Sequence, residues 1–470
     1  MIVMKFGGTS VGSGERIAGV AEIIAQTIAK TGSAPVVIVS AMSGVTDSLV
    51  RAATTAAAGD RRTFIQIRDE LQTYHEQSIS ACVTDAERAL SLKAEIEALL
   101  LWFETLCQSI ATLGELTLRG MDAVSGLGER LSARIVAAAL LSRGIAAQMI
   151  EATDLVVTNN TFGSAIPMFE ETTVNCTELL LPLLNAGVVP VVTGFIGATV
   201  DGIPTTLGRG GSDYSATIIG RCLPADEIWI WTDVNGVMTA DPRIVPEART
   251  LPHISYAEIA ELAFFGAKVL HPKTIQPVVQ LNIPIRVLNS FNPQNEGTLV
   301  RGDSVLTPLI KGITAIRSLS MVTVTGRGML GVPGVAGRVF SAVAHSGASV
   351  LMITQSSSEQ SICFVVRSIE AQAAVNSVEK EFELELLRHD VDAVNNQDKV
   401  AIIAVVGAGI MGNPGIAYQV FSALAEKSVS IISIAQGSSD FNYNLSIVVR
   451  QNEADEAVQA IHRQFHLSEI

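Results

Sequence analysis

The sequence predicts an α/β protein in which a mainly parallel sheet is covered by helices on both faces and is followed by two copies of a smaller module. Three observations predict it. The first 300 residues alternate short β-rich apolar runs with longer segments whose apolar residues recur every three or four positions. Residues 290–308 turn polar and turn-rich. Residues 322–358 recur without a gap at 403–439, with 17 of 37 positions identical. Such alternation belongs to sheets whose strands are buried on both faces, and chance does not produce such a repeat.

The runs at 36–39, 188–192, 228–231 and 283–288 are rich in Val, Ile and Trp and follow turn or polar stretches, so they read as buried strands. Segments 86–112 and 129–142 read as amphipathic helices. Asn292-Pro293, Asn295-Glu296-Gly297 and Arg301-Gly302-Asp303 mark a domain boundary. Each copy of the repeat then reads strand, glycine-rich turn, helix, strand, polar run and strand, a βαββ-type unit.

A chain of 470 residues has room for two to four compact units, and 48% hydrophobic against 17% charged residues is globular rather than disordered. The formal net charge of -14 repels nucleic-acid backbones and anionic lipid, so neither is an expected partner. An anionic ligand would need cations and backbone amides gathered locally. The five cysteines are odd in number and never closer than 25 positions, which gives neither a zinc spacing nor a disulfide framework. No uninterrupted apolar stretch approaches the ~20 residues of a membrane span, and no long apolar leader opens the chain. The cytoplasm is the expected location.

Several short motifs carry candidate chemistry. Lys5-Phe6-Gly7-Gly8-Thr9-Ser10 follows a strand; its glycines admit an anion close to the backbone and Lys5 adds a compact charge, although a plain tight turn reads the same way. No Gly-Lys pair exists, so a P-loop is excluded. Leu207-Gly208-Arg209-Gly210-Gly211-Ser212-Asp213 precedes a helix beginning near Tyr214. Helix N-terminal amides bind anions and Arg209 offers a planar fork for a carboxylate, while Ser212 and Asp213 also suit N-capping. Trp231-Thr232-Asp233-Val234-Asn235-Gly236 ends a buried strand, where α/β sheets bind ligands. Asp241-Pro242-Arg243 and 265–272 add two more turns with cations, and His271, before a proline in an apolar context, reads as structural. Gly407-Ala408-Gly409-Ile410-Met411-Gly412 imitates a dinucleotide fingerprint, but the first copy of the repeat carries the same glycines at 326, 328 and 331, so the pattern reads as a close-packing turn of both modules.

In this order, KFGGTS, SGVTD, GLGERLSA, LGRGGSDYSA, IWTDVNGV, TADPR and FGAKVLHPKTI resemble the aspartate kinase (aspartokinase) family along the first 300 residues, and the tandem repeat resembles the paired ACT modules that follow the kinase in that family, which implies a monofunctional member. The resemblance implies an amino-acid-kinase catalytic domain at 1–298, with an aspartate-binding lobe at 1–200 and a nucleotide-binding lobe at 201–298. It also implies a regulatory region at 305–470 holding two βαββαβ ACT modules, one at about 317–390 and one formed by 305–316 with 391–470. The implied reaction transfers the γ-phosphoryl group of ATP, carried with Mg2+, to the β-carboxylate of L-aspartate.

By the same resemblance Lys5 neutralises the transferring phosphate with amides at Gly7 and Gly8. Thr46, Glu129, Arg209 and Ser212 hold aspartate, and Asp213 stands beside them as a catalytic position with Lys5 and Arg209. Thr232, Asp233, Met238, Arg243 and Lys268 form the nucleotide site, where Met238 replaces the Tyr often found in the family. No dedicated protein metal site is implied. Gln355 and Gln436 match effector positions, with threonine the preferred effector and lysine the second. The Gln436 copy departs from the first by a two-residue insertion, and ITQSSSEQSI with EFELEL looks most like the dehydrogenase-fused, threonine-sensitive branch, although this chain stops before such a domain. Pairing of ACT modules implies a homodimer or higher homo-oligomer. Other amino-acid kinases, such as glutamate 5-kinase or N-acetylglutamate kinase, a catalytically dead amino-acid sensor, and an NAD-dependent dehydrogenase based on Gly407–Gly412, for which no NADH binding is expected, are the rival readings.

Overall fold

The computed structural model describes residues 1–469 except 268–269, 304–307, 357–359, 411–412 and 438–442. The chain divides into two compact units. One comprises Met1–Val237, Pro252–Tyr256 and Val269–Asp303, and the other Met238–Leu251, Ala257–Lys268 and Ser304–Ile470. The division departs from a single cut near residue 300. Ala240, Val245 and Ala248 are buried in the same core as Ile403, Val420 and Ile461, and Thr239 Oγ1 lies 2.9 Å from His462 Nε2, so local packing assigns 238–251 to the second unit.

The first unit is built on an eight-stranded sheet in the order Ala147–Ile150, Val189–Thr193, Val36–Val39, Ile2–Phe6, Glu227–Thr232, Ile285–Asn289, Thr298–Arg301, His253–Ser255. The first six strands are mutually parallel and Thr298–Arg301 turns antiparallel to them. Burial explains the apolar runs: Val36–Val39 and Val189–Thr193 are buried at every position, as strands covered on both faces require. A separate three-stranded sheet, Val157–Thr158, Ile196–Thr199 and Pro204–Thr206, has too short a pattern to be read from sequence.

Helix Ala86–Leu113 starts where the Asp85 side chain accepts from the amides of Glu87 and Arg88, and ends at Gly114 in the left-handed region. Leu92, Ile96, Leu100, Phe103, Cys107 and Ile110 form its buried stripe at helical spacing. By length and composition alone this helix could cross a membrane, although two glutamates interrupt its apolar window, so it contains no uninterrupted apolar run of that length. All five cysteines are free.

The second unit carries a six-stranded antiparallel sheet in the order Met352–Gln355, Ser361–Arg367, Gly312–Thr325, Ala393–Val406, Asn444–Arg450, Ile431–Gln436. The two 14-residue strands are shared by two βαββαβ modules. Leu319–Thr325 pairs with the start of Ala393–Val406 in one module, and Gly312–Ile316 pairs with its end in the other. Helices Val335–His345 and Ser368–Glu381 cover the first module, and Gly415–Glu426 and Ala454–Gln464 the second.

Candidate active site

Four parallel strands of the first unit end at one rim: Phe6 leads into Gly7, Val39 into Ser40, Thr193 into Gly194, and Thr232 into Asp233. That rim, at the carboxyl ends of a parallel sheet, opens into a cavity of about 770 Å3. Lys5, Gly7, Gly8, Thr46 and Glu129 line it together with Arg209, Ser212, Asp213, Thr232 and Asp233. Ten positions named from motifs up to 228 residues apart thus share one space.

Each is positioned by a local device. Lys5 Nζ meets Asp213 Oδ1 at 2.5 Å, a pair whose side chains are only 10% and 16% exposed. A Cβ at Gly8 would lie 2.8 Å from the Ala41 carbonyl oxygen, so only glycine lets the 7–9 turn close on the neighbouring loop. Thr46 sits in the first turn of helix Val45–Ala57, which starts after Gly44 at φ 78. Glu129 lies in the first turn of Leu127–Ser142 and is 3% exposed; its Oε1 accepts from Ala41 N at 3.0 Å, while Oε2 is buried and has no hydrogen-bond partner among the described residues. Burial pushes its carboxyl up to about 8 against the pull of the Ala41 amide and of Lys5. Arg209 is exposed on the cavity wall between Gly208 and Gly210, both at positive φ.

Two local expectations need correction. The Gly7 amide donates to the Trp231 carbonyl at 3.1 Å, closing the seam between two parallel strands, so of the two glycine amides only that of Gly8 stays a candidate for an anion. Ser212 and Asp213 are not N-caps. Helix Gly211–Cys222 begins earlier than Tyr214 with Gly210 as its cap, leaving Asp213 inside the first turn and turned to Lys5. His271 caps helix Pro272–Val279, accepting from Lys273 N, and burial and the nearby Lys273 and Arg209 charges lower its basicity.

The remaining nucleotide candidates lie elsewhere in the chain's division. Met238 is half-buried in the second unit, where its sulfur accepts from Thr250 Oγ1 at 3.4 Å. Arg243 is exposed in that unit and forks onto Asp241 at 2.6 to 3.2 Å. Lys268 falls outside the described residues. Of the four cations assigned by resemblance to phosphate, aspartate and nucleotide, Lys5, Arg209, Arg243 and Lys268, this cavity is lined by Lys5 and Arg209. Gln355 lines a second cavity of about 250 Å3 in the first module, with Met329, 331–336 and Ile362. Gln436 ends strand Ile431–Gln436 with an exposed side chain.

Sequence reasoning missed Asp122 and Phe195, both on the cavity wall. Phe195 is held at φ 67, where bulky residues are rare, and a Cβ at Gly211 would lie 2.5 Å from its ring. Neither lies in the motifs singled out from the sequence, although Phe195 stands between Gly194 and Gly197, a pair of glycines that could have marked it.

Residues 1–289 match the amino acid kinase family, and 322–382 and 403–465 match the ACT domain. Aspartokinase 1, chloroplastic, of Arabidopsis thaliana is 33% identical over an alignment of 477 positions that covers 98% of this chain and 80% of that protein. The chain belongs to the aspartokinase family. Another relative in that family, the bifunctional aspartokinase/homoserine dehydrogenase of Haemophilus influenzae, is 37% identical over 98% of this chain and 56% of its own length. The chain spans about half the length of the bifunctional relatives it matches. Among solved aspartokinases, E. coli aspartokinase III in complex with aspartate and ADP superposes with a TM-score of 0.80 at 30% identity over 99% of both chains. The same enzyme in complex with lysine and aspartate gives 0.77 at the same identity and coverage.

Proposed function

We propose that this chain is an aspartate kinase, moving the γ-phosphoryl group of ATP to the β-carboxylate of L-aspartate and leaving 4-phospho-L-aspartate and ADP. The observation that carries the reading is the shared cavity, in which the Lys5–Asp213 pair, the exposed fork of Arg209 and the buried Glu129 face the same space. An acceptor carboxylate is already deprotonated at neutral pH, so no general base is required. The protein must bring two anions together and align them. Lys5 is assigned to the transferring phosphate, with Asp213 holding it extended. Arg209 takes a substrate carboxylate bidentately, and Glu129 takes the ammonium group, with Thr46 and Ser212 completing the acceptor site.

Thr232 and Asp233 at the strand end, with Met238, Arg243 and Lys268, are assigned to the nucleotide. Among the described residues no three His, Cys, Asp or Glu side chains group to hold a metal. In this reading Mg2+ arrives on the ATP phosphates as part of the co-substrate.

The ACT pair is assigned to end-product sensing, in a homodimer or larger homo-oligomer formed through those modules, and the cytoplasm is the proposed location. Gln355, on the wall of the 250 Å3 cavity, has an amide able both to donate to a carboxylate and to accept from an ammonium group. Gln436 is the matching position in the second module. Threonine is the preferred effector from the 353–362 segment; lysine is the second reading, favoured by the structural relative bound to lysine and aspartate. Hydroxylamine trapping of the acyl phosphate tests the catalytic reading, since ATP and aspartate together should yield the hydroxamate and omission of either should not. No trapped product from folded protein refutes it. Inhibition titrations to millimolar threonine and lysine decide the effector.

A further inference from the structure

Asp122 lies on the short helix Leu118–Ser125 and is 2% exposed, yet it lines the cavity. Its carboxylate is fully engaged. Oδ1 accepts from Thr206 Oγ1 at 2.7 Å and from Gly163 N at 3.1 Å, while Oδ2 accepts from Thr206 N at 3.0 Å and from Gly163 N at 2.9 Å. A carboxylate buried this deeply is costly unless donors converge on it, so the sequence has committed two distant backbone segments to holding it.

Those two segments frame Arg209. Thr206 is three residues before it, at the end of strand Pro204–Thr206. Gly163 packs against Gly208 so closely that a Cβ at Gly208 would lie 3.1 Å from the Gly163 carbonyl oxygen. Ala165 N donates to the Thr206 carbonyl at 2.8 Å, which ties the 163–165 turn to the 206–210 loop, and Lys273 Nζ donates to Ser164 Oγ at 2.7 Å, which holds that turn from the other side. On the other side, the helix bearing Asp122 runs directly into Leu127–Ser142, whose first turn carries Glu129.

We propose that Asp122 is a positioning residue that sets the distance between Arg209 and Glu129, and so the length of amino-diacid the site accepts. The proposal rests on the kinase reading, in which these two groups hold the acceptor's carboxylate and ammonium ends. Asp122 acts through them and touches neither reacting atom.

The test uses Asp122→Asn and Thr206→Val in the full chain, with KM and kcat for both substrates, aspartate affinity by calorimetry, and melting temperature. In Asp122→Asn an amide NH2 faces donors, so aspartate KM and Kd should rise about tenfold while ATP KM stays within about twofold, and the preference for L-aspartate over L-glutamate should shrink. Thr206→Val keeps the carboxylate and both amides and should raise aspartate KM about threefold. The double variant should be no worse than Asp122→Asn alone, since both remove one linkage. A merely structural Asp122 would lower the melting temperature and active fraction but leave aspartate Kd unchanged, and aspartate constants within twofold of the parent in both single variants overturn the proposal. If Asp122→Asn fails to fold, Thr206→Val decides alone. A parent that forms no acyl phosphate overturns the kinase reading instead, a result read before any variant is made.

Discussion

Lys5 and Arg209 are both cations in one cavity, but their surroundings separate their roles. Lys5 is largely buried and held by Asp213, which suits the role proposed for it at the transferring phosphate, whereas Arg209 is exposed on the cavity wall, which suits its proposed contact with a substrate carboxylate. Lys5→Ala should therefore lower kcat by about a hundredfold or more with little change in aspartate KM. Arg209→Ala should raise aspartate KM about tenfold or more, and equal KM values for parent and variant would reject its role. Glu129 adds a pH dependence. Its carboxyl titrates near 8 in the free protein, well above the usual 4.5, because burial disfavours the charge. The native state thus binds a proton that the unfolded chain has lost between those values, so this residue's contribution to stability is present below 4.5 and is lost as pH rises through 8. An incoming ammonium group favours the carboxylate and should expel that proton. Calorimetry of aspartate binding at about pH 7, in buffers of different ionisation enthalpy, should report release of close to one proton per site. Glu129→Gln should abolish the release, and a parent that releases none contradicts the assignment.

At the scale of elements the 81-residue repeat is legible in the sequence because identity at fixed offset needs no folding to be seen, and the structure reproduces it in backbone detail. Ser318 and Lys399, 81 apart, both sit at left-handed φ, 58 and 57, where each long strand passes from one module to the other. A Cβ at Gly326 would lie 2.4 Å from the Asp390 carbonyl oxygen and one at Gly407 would lie 2.3 Å from that of Leu309, again one offset apart. Gly326 and Gly407 are thus required by close backbone approach, as is Gly409, where a Cβ would lie 2.7 Å from Leu309, so these glycines of the fingerprint are packing residues. Gly326→Ala and Gly407→Ala should each lower the stability of the second unit by about 2 kcal/mol or more, by similar amounts, measured as the shift of its unfolding midpoint. Helix Arg61–Cys82 offers a different handle. His75 is buried with Nδ1 2.6 Å from the Leu71 carbonyl oxygen and Nε2 without a partner among the described residues, and burial lowers its pKa to about 4. The folded value lies below the free one of 6.5, so stability is lost as pH falls between them, by about 2 kcal/mol from pH 7 to pH 5. His75→Gln, which does not titrate, should show a melting temperature less sensitive to that change.

For the whole molecule, strands, helices and the repeat follow from periodicity, and most of the cavity from glycine motifs, because both signals are local. Asp122 was not legible: its partners Gly163 and Thr206 lie 41 and 84 positions away, and nothing around it marks a turn or a phosphate loop. The same holds for Ala240, Val245 and Ala248, ordinary apolar residues between turns, whose burial in the second core only the folded chain reveals. Two units with separate cores should respond separately to ligands, because a molecule bound only by the native state stabilises the unit that holds it by RT ln(1 + [L]/Kd), about 2.7 kcal/mol at a hundredfold excess over Kd. The contacts proposed for aspartate, from Thr46, Glu129, Arg209 and Ser212, all belong to the first unit, and Gln355 and Gln436 to the second. Scanning calorimetry should therefore resolve two transitions, with aspartate raising one by a few degrees and the effector amino acid raising the other. Arg209→Ala should remove the first shift and spare the second, and Gln355→Ala the reverse. Aspartate moving the transition that Gly407→Ala lowers would mean that the acceptor site has been assigned to the wrong unit.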